Sequence, residues 1–294
     1  MTDEAIKLIR TRDKSRPFFL NLWYYAVHTP IECKEEYIKK YQKKKIEAGY
    51  DKVDEFEEGE HFPCDHKKHL RVKRRIIQSD PVYAAMVENL DANIGYVLNT
   101  VKEAGLEKEM LIIFTSDNGG LSTAEGSPTC NAPLSEGKGW MYEGGVRVPL
   151  IIKWPEIVKG GSVCSVPVTS PDFYPTFLDA AGLPPNSEQH ADGISLLPLL
   201  EGGNSIGREA TYWHYPHYGN QGGTPGSSIR MGDYKLIEFF EDGHTELYNL
   251  NEDMSEENDI SGIEPERVRI MREMLAKWRE VMEAKIPEKN PGYE

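Results

Sequence analysis

Four side chains in this sequence have types and neighbourhoods that could do chemistry. The apolar run from Met110 to Thr115 reads as a buried strand, and after Ser116 it stops at Asp117, Asn118, Gly119 and Gly120. Ligands gather just beyond the carboxyl ends of strands in open α/β sheets. Asp and Asn offer hard oxygen donors of the kind calcium or magnesium takes. The same four residues are also ordinary turn chemistry, and taken alone they favour the turn. Lys138 stands on the glycine-rich loop Glu136-Gly137-Lys138-Gly139, and His28 precedes Thr29-Pro30. Singly, a loop lysine is usually solvated, and a histidine before proline is usually structural or exposed. Together, a carboxylate-amide metal site, a cation and an imidazole suit a tetrahedral oxyanion ester. Metal and lysine would stabilise charge on nonbridging oxygens, while the imidazole would protonate the leaving oxygen.

The elements that must position these residues can be read from periodicity. Residues 17–27 read as a buried strand that ends at His28. Residues 32–80 are strongly charged, and read as a solvated helical excursion across the surface. Met86, Leu90, Ile94, Val97 and Val101 recur at helical spacing, with Gly105 placed to end the helix. Strand 110–116 follows, then a loop over 119–146 and a third strand over 147–154. Ser170-Pro171 should open a helix running to Gly182, with Ser170 as its cap. This order predicts an α/β fold with a mostly parallel, helix-flanked sheet over 1–204. From about residue 205 the pattern changes. A hairpin turning at Gly232-Asp233, a short strand from Glu246 and an amphipathic helix over 264–285 predict a small antiparallel α+β subdomain over 205–294.

Bulk properties exclude some partners. The 294 residues carry 34 Lys and Arg against 48 Asp and Glu, a net charge of −14. That balance argues against nucleic acid and against a membrane surface, and no apolar segment reaches the length of a membrane span. An anionic substrate would need a local pocket of cations. The four cysteines, Cys33, Cys64, Cys130 and Cys164, are too sparse for a disulfide framework and leave the redox compartment open. His61, Cys64, His66 and His69 could suggest zinc, but they lack paired spacing and sit among Lys67, Lys68 and Arg71. Solvated side chains are the better reading there.

Several motifs in one order carry a family resemblance. They are Pro17-Phe18-Phe19-Leu20 leading to His28-Thr29-Pro30, then Phe114-Thr115-Ser116-Asp117-Asn118-Gly119. Next come Gly137-Lys138-Gly139 with Tyr142-Glu143-Gly144-Gly145-Val146-Arg147, Ser170-Pro171-Asp172, and Asp192-Gly193 with Leu197–Leu200. Arg230, Gly232-Asp233-Tyr234-Lys235 and Glu246-Leu247-Tyr248-Asn249-Leu250 complete the series. This chain resembles the type I, formylglycine-dependent sulfatases, in the arylsulfatase A and N-acetylgalactosamine sulfatase branch. The resemblance implies an alkaline-phosphatase-like fold, and hydrolysis of a sulfate monoester on a sulfated small molecule or glycan. It implies Asp117 and Asn118 as two Ca²⁺ ligands, Lys138 on the sulfate, and His28 near the bridging oxygen. It also implies a periplasmic or secreted full-length protein. Glu143 and Arg147 are expected to pack the loop that carries Lys138. His214 and His217, set among Tyr212, Trp213, Tyr215 and Tyr218, could bind the sugar portion or form a packed aromatic corner; both readings stand.

Such enzymes also carry a strand ending in two aspartates and a Cys-x-Pro-x-Arg or Ser-x-Pro-x-Arg motif, whose first residue becomes formylglycine. None of the four cysteines fits that motif, and no serine supplies the variant. Asp117 and Asn118 alone also leave Ca²⁺ short of its about six to eight oxygens. The expectation is a C-terminal portion of a sulfatase, inactive alone, with exposed sheet edges prone to self-association. Two rivals remain: a two-metal phosphatase or phosphodiesterase of the alkaline-phosphatase superfamily, and a non-catalytic binding module derived from a sulfatase. Asn118, where zinc would favour histidine, weighs against the first.

Overall fold

Asp80 caps the longest helix by accepting from the backbone N–H of Val82 and Tyr83, and Pro81 opens its first turn. In the computed structural model, which describes residues 1–62, 67–288 and 290–292, this helix is α3, Pro81–Glu103. Gly105, at φ +73°, follows its end as the left-handed stop the sequence suggests. α1 (Thr2–Thr11) and α2 (Glu35–Glu47) pack on α3, and α1 buries Ala5 and Ile9.

Two expectations are corrected here. Residues 17–25 are extended and alternate between half-buried and exposed, with Phe19, Trp23 and Tyr25 outward, but they belong to no strand ladder. An apolar run specifies an extended, buried path only when a neighbouring strand accepts its backbone bonds, and none does so among the described residues. The sheet is likewise not parallel within this chain. Among the described residues β3 (Ile112–Thr115) pairs only with β4 (Leu150–Lys153), antiparallel, with Thr115 opposite Leu150.

The charged excursion over 32–80 is only partly helical. After α2 and a short turn it forms an antiparallel hairpin, β1 (Phe56–His61) and β2 (Arg71–Arg75), with Glu57 opposite Arg74 and Glu58 opposite Lys73. It is not wholly solvated either. Val72, Arg75 and Ser79 are buried, because Arg75 N–H donates to the Ser122 carbonyl and its Nε to that of Ser127. Cys64 and His66 of the supposed zinc cluster lie outside the described residues.

Farther on, Thr169 rather than Ser170 forms the capping box with Asp172. After the single-turn α4 (Glu143–Val146), the helix proper, α5, is Phe173–Ala180, and the single-turn α6 is Leu197–Leu200. Asp172 is fully buried and pairs with Arg208.

The C-terminal sheet is antiparallel in the order β5 (Thr211–Tyr215), β6 (Gly226–Met231), β7 (Tyr234–Phe239), β8 (Thr245–Asn249). Period-two alternation gives it two distinct faces. Ile229, Leu236 and Leu247 bury against Met271 and Leu275 of α7 (Pro265–Val281). Ile237, Phe239 and Tyr248 face the other way and receive Met141 and Tyr142 from the glycine-rich loop.

Candidate active site

The strand end and the lysine loop are joined backbone to backbone. Gly119 N–H donates to the Gly145 carbonyl at 2.9 Å, and Lys138 N–H to that of Gly120 at 3.0 Å. A Cβ on Gly119 would stand 1.7 Å from the Gly144 oxygen, and one on Gly137 2.3 Å from the Gly120 oxygen. Only glycine permits this approach. Asn131 adds a side-chain strut: its amide donates to the carbonyls of Gly120 and Glu136 and accepts from Gly120 N–H.

That framework carries Lys138 to His28. Lys138 Nζ lies 3.0 Å from His28 Nε2, and His28 Nδ1 lies 2.9 Å from the Thr29 carbonyl oxygen. An ammonium can only donate, so Nε2 accepts, and the hydrogen on Nδ1 goes to Thr29. The two contacts assign a neutral imidazole with its proton on Nδ1. Thr29 Oγ1 in turn donates to Glu125 Oε2 at 2.9 Å, and Asn220 donates to Glu125 Oε1. Glu125 thereby ties the His28 turn to the 217–223 loop. That loop also meets the lysine loop, since Trp140 Nε1 donates to the Gln221 carbonyl at 3.1 Å.

Asp117 is exposed and Asn118 half-buried, with Asn118 Nδ2 donating to Asp117 Oδ2 at 2.6 Å. A carboxylate beside an amide oxygen suits a hard cation, yet two donors make only part of a shell. Among the described residues no group of three or more His, Cys, Asp and Glu converges as a metal set.

The remaining sequence candidates divide. His214 has both ring nitrogens occupied, Nδ1 by Ser227 Oγ at 2.7 Å and Nε2 by the Lys285 carbonyl at 2.8 Å. His217 is exposed and stands edge-on to Tyr215. Glu143 is buried in a cluster that sequence reading missed. Lys235 Nζ bonds Glu143 Oε1 at 3.1 Å and Glu256 Oε1 at 2.9 Å, and Glu256 Oε2 accepts from Glu143 N–H at 2.6 Å. A lysine at an inward position of an alternating strand was the available signal; Asn131 and Glu125 carried none.

With this geometry described, comparison with known proteins decides the family. A model of the sulfatase family matches residues 1–183, and one for the C-terminal region of N-sulphoglucosamine sulphohydrolase matches residues 136–284. The chain belongs to the sulfatase family. It is 34% identical over 282 residues to a sulfatase of Formosa agariphila, an alignment covering 90% of this chain and 45% of that protein. The structure of Ps i-CgsB in complex with k-i-k-neocarrahexaose matches with a TM-score of 0.72 at 27% identity, over 94% of this chain and 53% of the other. That of BT4656 in complex with its substrate, D-glucosamine-2-N,6-O-disulfate, matches with a TM-score of 0.60 at 32% identity, over 71% and 42%. This sulfatase chain therefore has the alkaline-phosphatase-like, mixed α/β fold of its relatives, and spans about half their length or less.

Proposed function

We propose that this chain forms the C-terminal part of the catalytic centre of a sulfatase that hydrolyses sulfate monoesters on carbohydrate. The observation that carries the reading is the contact between Lys138 Nζ and His28 Nε2 on the loop bonded to the Asp117-Asn118 strand end. The sugar assignment is supported by the disulfated glucosamine that the relative BT4656 takes as substrate. In this reading, residues 1–204 belong to the catalytic α/β portion and 205–294 to a small subdomain that braces it.

Asp117 and Asn118 would hold Ca²⁺ by their side-chain oxygens. When present in the complete protein, Ca²⁺ supplies charge stabilisation at the sulfate oxygens and formylglycine supplies the attacking hydroxyl. The chain's own residues do the rest. Lys138 places a positive charge against a nonbridging sulfate oxygen, compensating the acidity of a protein with net charge −14. His28 has Nδ1 engaged by Thr29, which leaves Nε2 as the ring position facing the leaving alcohol oxygen; Nε2 accepts from Lys138, so it delivers a proton there only after taking one up itself. His217 rather than His214 keeps ring nitrogens available for sugar hydroxyls, since those of His214 are both bonded.

Sulfate release from 6-O-sulfated glucosamine by the complete protein tests this. Turnover is expected, with Lys138→Ala lowering kcat about 10²- to 10³-fold, and residues 1–294 alone are expected to release none. Turnover of phosphodiesters but no sulfated sugar would overturn the assignment.

A further inference from the structure

The loop from Glu136 to Glu143 is held at each end by a carboxylate of its own. At the first end Glu136 sits at φ +57°, with only 12% of its side chain exposed, and its Oε1 lies 2.9 Å from Arg74 Nη1 on the β1–β2 hairpin. Its second carboxylate oxygen, Oε2, is buried without a partner, and burial pushes this carboxyl up against the pull of Arg74. At the other end Glu143 is clamped by Lys235, which is fully buried in β7, and by Glu256. Arg230 Nη1, 3.5 Å from Glu143 Oε2, adds a second cation. Lys138 stands between these anchors.

Stability alone does not account for charges in these places. Apolar residues of the same volume do as well as a buried ion pair or better, and an unpartnered buried carboxylate oxygen is a net cost. What a buried ion pair provides is one direction and one separation. A reactive ammonium needs that, because its own stem is long and flexible.

We propose that Arg74 with Glu136, and Lys235 with Glu143 and Glu256, are positioning residues that hold Lys138 against His28 from two different parts of the fold. The inference rests on reading Lys138 and His28 as the reactive pair, and it deepens that reading. It makes the charged insert over 32–80 part of the site's architecture.

The test uses the complete protein with ¹⁵N-labelled histidine and reads the His28 tautomer by long-range ¹H–¹⁵N correlation. In the wild type the Nδ1–H form is expected to dominate. Lys138→Met, which deletes the contact, is expected to lower the Nδ1–H to Nε2–H ratio about tenfold. Arg74→Gln and Lys235→Met, each with Lys138 intact, are expected to carry the ratio at least halfway to that value, and Arg74→Lys to restore it. Folding is checked by circular dichroism. If Lys235→Met fails to fold, Arg74→Gln decides, since it leaves the small sheet's core untouched. Folded variants at both ends that keep the wild-type ratio would overturn the clamp, as would an unmoved ratio in Lys138→Met. Sulfate turnover enters none of these readings, so failure of the clamp and failure of the sulfatase assignment are distinguishable.

Discussion

The two halves of the candidate site are built differently. The Lys138 half is over-determined: its glycines touch neighbouring backbone, Asn131 braces it, and ion pairs hold both ends, one half-buried and one fully buried. The Asp117 half is a strand terminus open to solvent, where the main restraint on the carboxylate is the neighbouring Asn118 amide. The contrast follows from what each half must do. A lysine on a flexible stem needs support from its own chain, because nothing else fixes it. A carboxylate in the role proposed for Asp117, a metal ligand, can be ordered by the ion and its other ligands, which couples its order to binding. Preorganisation therefore sits where this chain works unaided, and openness where it has to be completed.

The sharpest way to break the contrast is to attack the clamp. Lys235→Met leaves Glu256 buried without its cation and Glu143 with the more distant Arg230 and Arg147, and should cost about 3–5 kcal/mol in urea unfolding. The triple variant Lys235→Met, Glu143→Gln, Glu256→Gln should recover much of that loss, since no buried charge is left uncompensated. Next in size is Gly144→Ala, whose Cβ would meet the Ser135 carbonyl oxygen at 2.2 Å and that of Glu136 at 2.6 Å. The Ser135-Glu136 backbone would have to move, and a loss of about 3 kcal/mol is expected from the same measurement.

How much of this was legible beforehand differs by element. α3, the Gly232 turn and the amphipathic α7 follow from local periodicity and capping, which act within a few residues. The hairpin of the insert was hidden because its residues are mostly charged on both faces. The readable sign was cross-strand charge complementarity, Glu57 with Arg74 and Glu58 with Lys73. Residues 17–25 misled for the opposite reason, since composition announces a strand while pairing depends on a neighbour. At the site, Lys138 and His28 were found through the family motifs. Lys235 and Glu143 lie 92 residues apart, and no spacing rule links them. Their meeting depends on which face of β7 turns toward the loop.

A smaller effect is expected from acid. Burial pushes the Glu55 carboxyl up, but hydrogen bonds from Lys45, Ser79 and Arg75 outweigh it and hold it at about 2 against an ordinary 4.5. A depressed carboxyl stabilises the fold fully above the unfolded value and ceases to do so as pH falls through the folded one. Glu55 anchors Arg75, which bonds the 122–127 segment beside the Lys138 loop. Its contribution, about 2 kcal/mol for a charge-assisted cluster, should be whole above pH 4.5 and lost by about pH 2. In urea unfolding across that range, the difference between wild type and Glu55→Gln should shrink accordingly; a difference independent of pH would place the bracing elsewhere.

The smallest effect is expected on the other half, and it is the most discriminating. Asp117 is exposed and, among the described residues, bonded only to its immediate neighbours, so Asp117→Ala should change unfolding free energy by less than about 0.5 kcal/mol. It should also leave the His28 tautomer at its wild-type value, because Lys138 is held through Gly120 and the clamp rather than through the Asp117 side chain. In the complete protein the same substitution would remove a charged donor from the proposed calcium site and should lower metal affinity, read by calorimetry. A large loss of stability in residues 1–294 would mean that the strand end is itself braced by Asp117. The division between a preorganised half and a half ordered by its ligand would then be wrong.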